Sequence, residues 1–114
     1  MKVLVCGGRG LTDEALVHRI LDEQHRVIAF THLIHGNATG ADQLADKWAH
    51  SHGVQRVSCP ADWSHHGRGG GPIRNQRMIE LRPDLVIAFP GGAGTANMVA
   101  QARDANIQVL EVTV

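Results

Sequence analysis

Two glycine-rich segments carry the clearest chemistry in this sequence: Gly7-Gly8-Arg9-Gly10 and Pro90-Gly91-Gly92-Ala93-Gly94-Thr95. Each follows a short apolar run. Glycines at a strand-to-helix turn leave no side chains in the way, so backbone N–H groups can converge on an anion. Thr95 adds a hydroxyl donor, and the start of a helix adds partial positive charge. The chemistry that fits is capture of the phosphate of a nucleotide-type ligand by Gly7, Gly8, Pro90, Gly91, Gly92, Gly94 and Thr95. The plain alternative is a tight turn with close packing and no ligand. Arg9 is either a cation facing that ligand or a solvated loop arginine.

A second group lies in Gly71-Pro72-Ile73-Arg74-Asn75-Gln76-Arg77-Met78. Arg74 and Arg77 are three apart and share a helix face. A guanidinium there could bind phosphate bidentately or polarise a leaving group, and Asn75 could read a sugar or base edge; a solvated basic face is the alternative. In Gly36-Asn37-Ala38-Thr39-Gly40-Ala41-Asp42, the glycines Gly36 and Gly40 shape a loop. There Asp42 either bonds a ribose hydroxyl, serves as a general acid or base, or favours the dipole of a first helical turn. No Gly-Lys-Ser/Thr occurs, which excludes a Walker loop, and Gly8-x-Gly10 has Asp13 where the dinucleotide fingerprint needs glycine. The eight histidines include His50-x-His52 and His65-His66. Neither pair has a helical partner or a Cys or carboxylate at ligand spacing, so a surface or loop role is expected for them, with no metal and no cofactor. Trp63 either stacks on a base, folds a loop over the site or packs against the domain.

The elements that must position these residues alternate along the chain. Apolar strand-length runs at 2–6, 32–35, 54–59, 84–89 and 107–112 are separated by helical patterns. Thr12 is the expected N-cap of the first helix, with Ala15, Leu16, Ile20, Leu21, Val27 and Ile28 in its apolar stripe. Ala41, Leu44, Ala45, Trp48 and Ala49 define a second helix closed by Gly53. Residues 61–71 lack periodicity and read as a long loop, after which Pro72 opens a helix to about 81. A further helix follows the glycine loop and ends near 106. This β-α-β order predicts a Rossmann-like three-layer αβα domain with a five-stranded parallel sheet, spanning residues 1–114 as one unit. For strand order 3-2-1-4-5 a ligand crevice forms beyond the first and fourth strands, where both glycine loops fall.

Composition narrows the partners. The 114 residues hold 11 basic and 11 acidic side chains, a formal net charge of zero. No global field therefore draws nucleic acid or an anionic membrane, and anion binding must be local. The chain has no stretch near the ~20 apolar residues of a membrane span and its amino-terminal run is too short for a signal peptide. A cytoplasmic protein is expected, with Cys6 and Cys59 as small buried hydrophobes rather than a disulfide.

These blocks together resemble the SLOG superfamily, and within it the small YspA/YpsA-related family. The resemblance is carried by Cys6-Gly7-Gly8-Arg9 with Asp13, and by His35-Gly36-x-Ala38-x-Gly40-Ala41-Asp42-x-Leu44-Ala45 with Trp48-Ala49. It continues through Ala61-Asp62-Trp63, Gly71-Pro72-Ile73-Arg74-Asn75-x-x-Met78 and Ala88-Phe89-Pro90-Gly91-Gly92-x-Gly94-Thr95. It implies binding of a nucleotide or nucleotide-derived ligand of the AMP, ADP-ribose or NAD-derivative type, as a sensor or sequestering domain, often as a homo-oligomer (dimer or tetramer). Related LOG-type phosphoribohydrolases cleave the N-glycosidic bond of a nucleoside monophosphate, using an arginine and the glutamate of Pro-Gly-Gly-x-Gly-Thr-x-x-Glu. In this chain the glutamate position is Met98, a thioether that can neither stabilise an oxocarbenium-like transition state nor activate water. Arg74 or Arg77 matches the arginine, and Asp42 or Glu80 would have to replace the carboxylate. The alternative to a binding domain is thus a nucleotide-processing hydrolase, with Arg74 and Asp42 as its catalytic residues, cleaving an N-glycosidic or phosphate bond. A third reading is an interaction module of a larger assembly.

Overall fold

The computed structural model describes residues 1–59 and 70–113. Five parallel strands form one sheet: β1 (Lys2–Cys6), β2 (His32–His35), β3 (Gln55–Ser58), β4 (Leu85–Ala88) and β5 (Gln108–Glu111). Their spatial order is β3-β2-β1-β4-β5, the Rossmann-like order for which a crevice is expected beyond β1 and β4. Val5 lies beside Ile87 and Leu4 beside Val86, so β1 and β4 are central neighbours in register. Both are almost wholly apolar because helices cover both sheet faces. The expected strands at 54–59, 84–89 and 107–112 are each shorter by a residue at either end.

Helices α1 (Glu14–Val27) and α2 (Ala41–Ser51) pack on one face, and α3 (Gly70–Glu80) and α4 (Ala93–Asp104) on the other. The two-residue side-chain period of a strand divides the core accordingly. Val3, Val5, Leu33 and Ile87 meet Leu16, Val17, Leu21 and Trp48, whereas Leu4, Ile34, Val86 and Ala88 meet Met78, Met98 and Val99. Trp48 is fully buried and donates its indole N–H to Asp22 Oδ1 at 2.8 Å, which removes the cost of hiding that donor.

Three expectations are corrected here. Asp13, not Thr12, caps α1, because its carboxylate oxygen receives Leu16 N–H at 3.0 Å. Ala15 is exposed, and Val27 and Ile28 at the helix end are 77% and 53% exposed, rather than core residues. At that end His25 and Phe30 pack on Trp48, with ring centroids 5.4 and 5.8 Å away, and take the ground the aliphatic pair would fill. Finally, α3 begins at Gly70, so Gly71 is helical and Pro72 sits inside the first turn, where a missing N–H costs nothing. The rest of the expected loop, including Trp63 and the His65-His66 pair, lies outside the described residues.

Candidate functional site

A cavity of about 540 Å³ opens at the carboxyl edge of β1 and β4, within the roughly 300–1,000 Å³ typical of small-molecule sites. This is where the strand order reverses. Its floor is apolar and comes from Val5 and Cys6 at the end of β1 and Met78 of α3. Its rim is polar: Gly7, Gly8 and Arg9 follow β1, while Gly92, Gly94, Thr95 and Asn97 belong to the start of α4 and the turn before it. Gly71, Arg74 and Asn75 line a third wall on α3, and Asp42 with Ala38 a fourth.

The glycines divide into two kinds. A Cβ on Gly92 or Gly94 would meet nothing within 4 Å, so these positions border open space. A Cβ on Gly7 would lie 2.6 Å from the Ala41 Cβ and 2.9 Å from the Phe89 Cβ, and one on Gly8 would lie 2.9 Å from the Pro90 carbonyl oxygen. Gly91 is crowded by the Thr95 hydroxyl and the Gly8 amide. Gly8 N–H donates to Pro90 O at 2.8 Å and Gly8 O accepts from Ala41 N at 3.2 Å, so the three loops lock together through Gly8. Gly40 has φ +77° and faces the Gly8 and Arg9 carbonyls, a conformation and an approach that only glycine tolerates. Pro90, Gly91, Gly36 and Gly40 are not among the residues that line the cavity, and the close approaches of Gly91, Gly36 and Gly40 fix the shape of the loops around it.

Asp42 is buried at 6% exposure, and its Oδ2 accepts from Gly36 N at 3.0 Å and Ala38 N at 3.2 Å. Burial pushes its carboxyl above the usual range; the Ala38 amide, His35, Arg74 and the Gly36 amide pull the other way without cancelling it. Oδ1 receives no hydrogen bond from the described residues. Asp42 is thus at once a loop staple and a cavity-lining acid. Arg74 is tied down as well: Nη1 donates to Gly36 O at 2.9 Å and Nε to Asn75 Oδ1 at 3.0 Å. A Cβ at Gly36 would collide with that guanidinium, which explains this glycine.

Asn75, itself 3% exposed, donates through Nδ2 to Gly94 O at 3.2 Å and to Asn97 Oδ1 at 3.0 Å. Gln101 Nε2 donates to the same Asn97 oxygen at 2.8 Å and to Pro72 O at 3.2 Å. The amide chain braces α3 against α4. Arg77 does not line the cavity with Arg74: its side chain is exposed, and its charge acts instead on the Cys59 thiol, which burial raises and Arg74 and Arg77 lower. Glu80 is likewise exposed and away from the cavity. Met98 is fully buried against the sheet and faces the core, not the cavity.

Residue patterns overlooked Asn97, Cys6 and Met78. Met78 follows Arg74 and Asn75 at helical spacing, and Asn97 lies three residues after Gly94, so both share faces with residues already suspected. Burial, together with the Asp42 carboxylate, drives the Cys6 thiol up to about 12, with Arg74 opposing, which leaves an unreactive floor rather than a nucleophile. His35, the last residue of β2, is buried: Nδ1 accepts from Asn37 N at 3.0 Å and Nε2 meets Asp46 Oδ1 at 2.8 Å. An Nδ1 that accepts leaves the proton on Nε2, donated to Asp46. His52 stacks on Trp48 at 4.2 Å. No group of three or more His, Cys, Asp or Glu side chains among the described residues is placed to hold a metal, and no helix among them is long and apolar enough to cross a membrane.

No solved structure gives a significant match. Gene 61 protein of Mycobacterium phage D29 is 36% identical over 117 residues, covering 96% of this chain and 94% of the phage protein. The model of the YspA, cpYpsA-related SLOG family matches residues 1–66, which hold β1, the Gly7–Arg9 turn, the Gly36–Asp42 loop and α2. Those are the parts that form two walls of the cavity, and on this match the chain belongs to the YspA, cpYpsA-related SLOG family.

Proposed function

We propose that this chain binds a nucleotide-derived ligand of the AMP, ADP-ribose or NAD-derivative type in the cavity at the β1–β4 edge, as a sensor or sequestering domain. The observation that carries the proposal is the open ground before Gly92 and Gly94 at the start of α4, beside a cavity floored by apolar side chains. Backbone N–H groups at that helix start favour a phosphate, the floor accepts a ring, and Asp42 Oδ1 accepts from a sugar hydroxyl. Family membership supports a nucleotide-related role. Isothermal titration with AMP, ADP-ribose and NAD tests it, in wild type and in Gly92→Val and Gly94→Val. The expected result is saturable binding by wild type and none by the variants, whose branched side chains fill the phosphate ground without a clash in the empty chain. Absence of binding to all three ligands refutes it.

A hydrolytic reading rests on Asp42, a cavity-lining acid whose carboxyl is raised by burial beside Arg74. Against it, Asp42 Oδ2 is committed to two loop amides and no second carboxylate among the described residues lines the cavity. Release of free base or inorganic phosphate from AMP, lost in Arg74→Ala, would favour hydrolysis; stoichiometric binding without turnover would favour the binding domain. Assembly as a dimer or tetramer and residence in the cytoplasm remain part of this proposal, and a monomer in light scattering would remove the first.

A further inference from the structure

Hydrogen-bonding roles along the brace between α3 and α4 fix which way each amide points. Arg74 has only donors, so the Asn75 atom that meets its Nε at 3.0 Å must be the carbonyl oxygen. Asn75 Nδ2 then faces α4, where Gly94 O accepts it at 3.2 Å. The Asn97 atom that meets the same nitrogen at 3.0 Å must in turn be Oδ1. The far end of the chain gives the same answer independently. Pro72 O accepts only, so the Gln101 group 3.2 Å from it is Nε2, and that nitrogen reaches Asn97 Oδ1 at 2.8 Å. Two donors thus converge on one oxygen and hold Asn97 with Nδ2 left over. That nitrogen has no hydrogen-bond partner among the described residues, although the side chain lines the cavity.

We propose that Asn97 is a specificity-determining residue that offers its Nδ2 donor pair to an acceptor oxygen of the bound ligand. The assignment builds on the nucleotide-site reading above and sharpens it. On the α3–α4 side the cavity is lined by Asn97 and Arg74, whose Nδ2 and Nη2 donors make no hydrogen bond to a described residue, while Arg74 Nε and Nη1 are already used within the protein. On the α2 side it presents the Asp42 carboxylate. A ligand matched to both walls turns phosphoryl or carbonyl oxygens toward α4 and hydroxyl donors toward Asp42. The amide is also preorganised, because reversing it would set Nδ2 against two donors, so a ligand that needs an acceptor at this place is rejected.

Asn97→Asp keeps the shape and an oxygen for Asn75 and Gln101, and replaces the cavity-facing donor with a charged acceptor. Titration of AMP and ADP-ribose into the two full-length proteins should show affinity at least tenfold weaker in Asn97→Asp. In ¹⁵N-labelled wild type, the Asn97 side-chain NH₂ resonances should shift on addition of whichever nucleotide binds. Equal affinity in the variant, or nucleotide binding that leaves those resonances unmoved, overturns the assignment while the site reading stands. Failure of the wild type to bind either nucleotide overturns the site reading and the assignment with it. Should the variant not fold, the wild-type resonances alone decide.

Discussion

Replacing Asp42 separates its work as a staple from its cost as a buried acid. Asp42→Ala removes the acceptor for Gly36 N at 3.0 Å and Ala38 N at 3.2 Å. Hydrogen bonds to a charged group contribute about 1.5–3 kcal/mol each. Gly36 is buried, so its amide is left without water, whereas Ala38 is half-buried and regains some. A net loss of about 3 kcal/mol follows, or roughly 12 °C in melting temperature for a domain of this size. Asp42→Asn behaves oppositely, since it keeps the accepting oxygen and discards the charge. Because burial raises the Asp42 carboxyl above its ordinary 3.8, the native state holds the proton more tightly than the unfolded chain. Stability contributed by that proton is therefore present at low pH and lost as pH rises from 3.8 through the folded value. Asn cannot ionise, so Asp42→Asn should equal or exceed wild type at pH 7 and lack this loss. Urea denaturation followed by circular dichroism between pH 3 and 7, on all three proteins, measures both effects. If Asp42→Ala lies within about 1 kcal/mol of wild type, or Asp42→Asn is as weak as Asp42→Ala, the staple account fails.

Three further outcomes follow from the same contacts. Gly94→Ala should raise the stability of the empty chain by up to about 1 kcal/mol, as alanine in a helix does, yet weaken nucleotide binding; Gly91→Ala, whose Cβ meets Gly8 N at 2.7 Å, should lose stability by urea denaturation instead. Cys6, with its thiol driven up to about 12, should resist iodoacetamide at pH 8 by mass spectrometry until the chain is unfolded, and rapid labelling would contradict that burial. Asp46 has its carboxyl lowered: burial raises it, but the bonds from His35 and Arg56 outweigh that. Its contribution to stability is present above 3.8 and fades as pH falls through the lower folded value, so Asp46→Asn should lose less stability than wild type on acidification in that range.

The sheet order was legible because apolar runs of strand length, glycine turns and helical stripes alternate without interruption, and right-handed crossovers leave few ways to connect them. The crevice was legible for the same reason, since two glycine loops end adjacent strands. Spacing could not tell which glycines are needed for a close approach: Gly91 and Gly92 are exposed neighbours, yet a Cβ on one would run into Gly8 and a Cβ on the other would meet open space. Arg74 and Arg77 share a helical spacing but not a cavity: Arg74 is drawn to the Gly36 carbonyl and lines it, whereas Arg77 is exposed. Sequence alone leaves Asp42 open between a helix-start residue and a site acid; in the structure it staples the loop through Oδ2 and lines the cavity as well. Asn97 had no motif to mark it, and its role emerges only from the direction of hydrogen bonds that begin on another helix.

The most direct measurement is a ¹⁵N-resolved titration of the wild-type chain with AMP and ADP-ribose, following backbone amides. The account predicts saturable shifts concentrated at Gly8, Arg9, Gly92, Gly94, Thr95 and Asn97. Shifts confined to the surface around Asp46, His50 and Arg56, or none at saturating nucleotide, would contradict it.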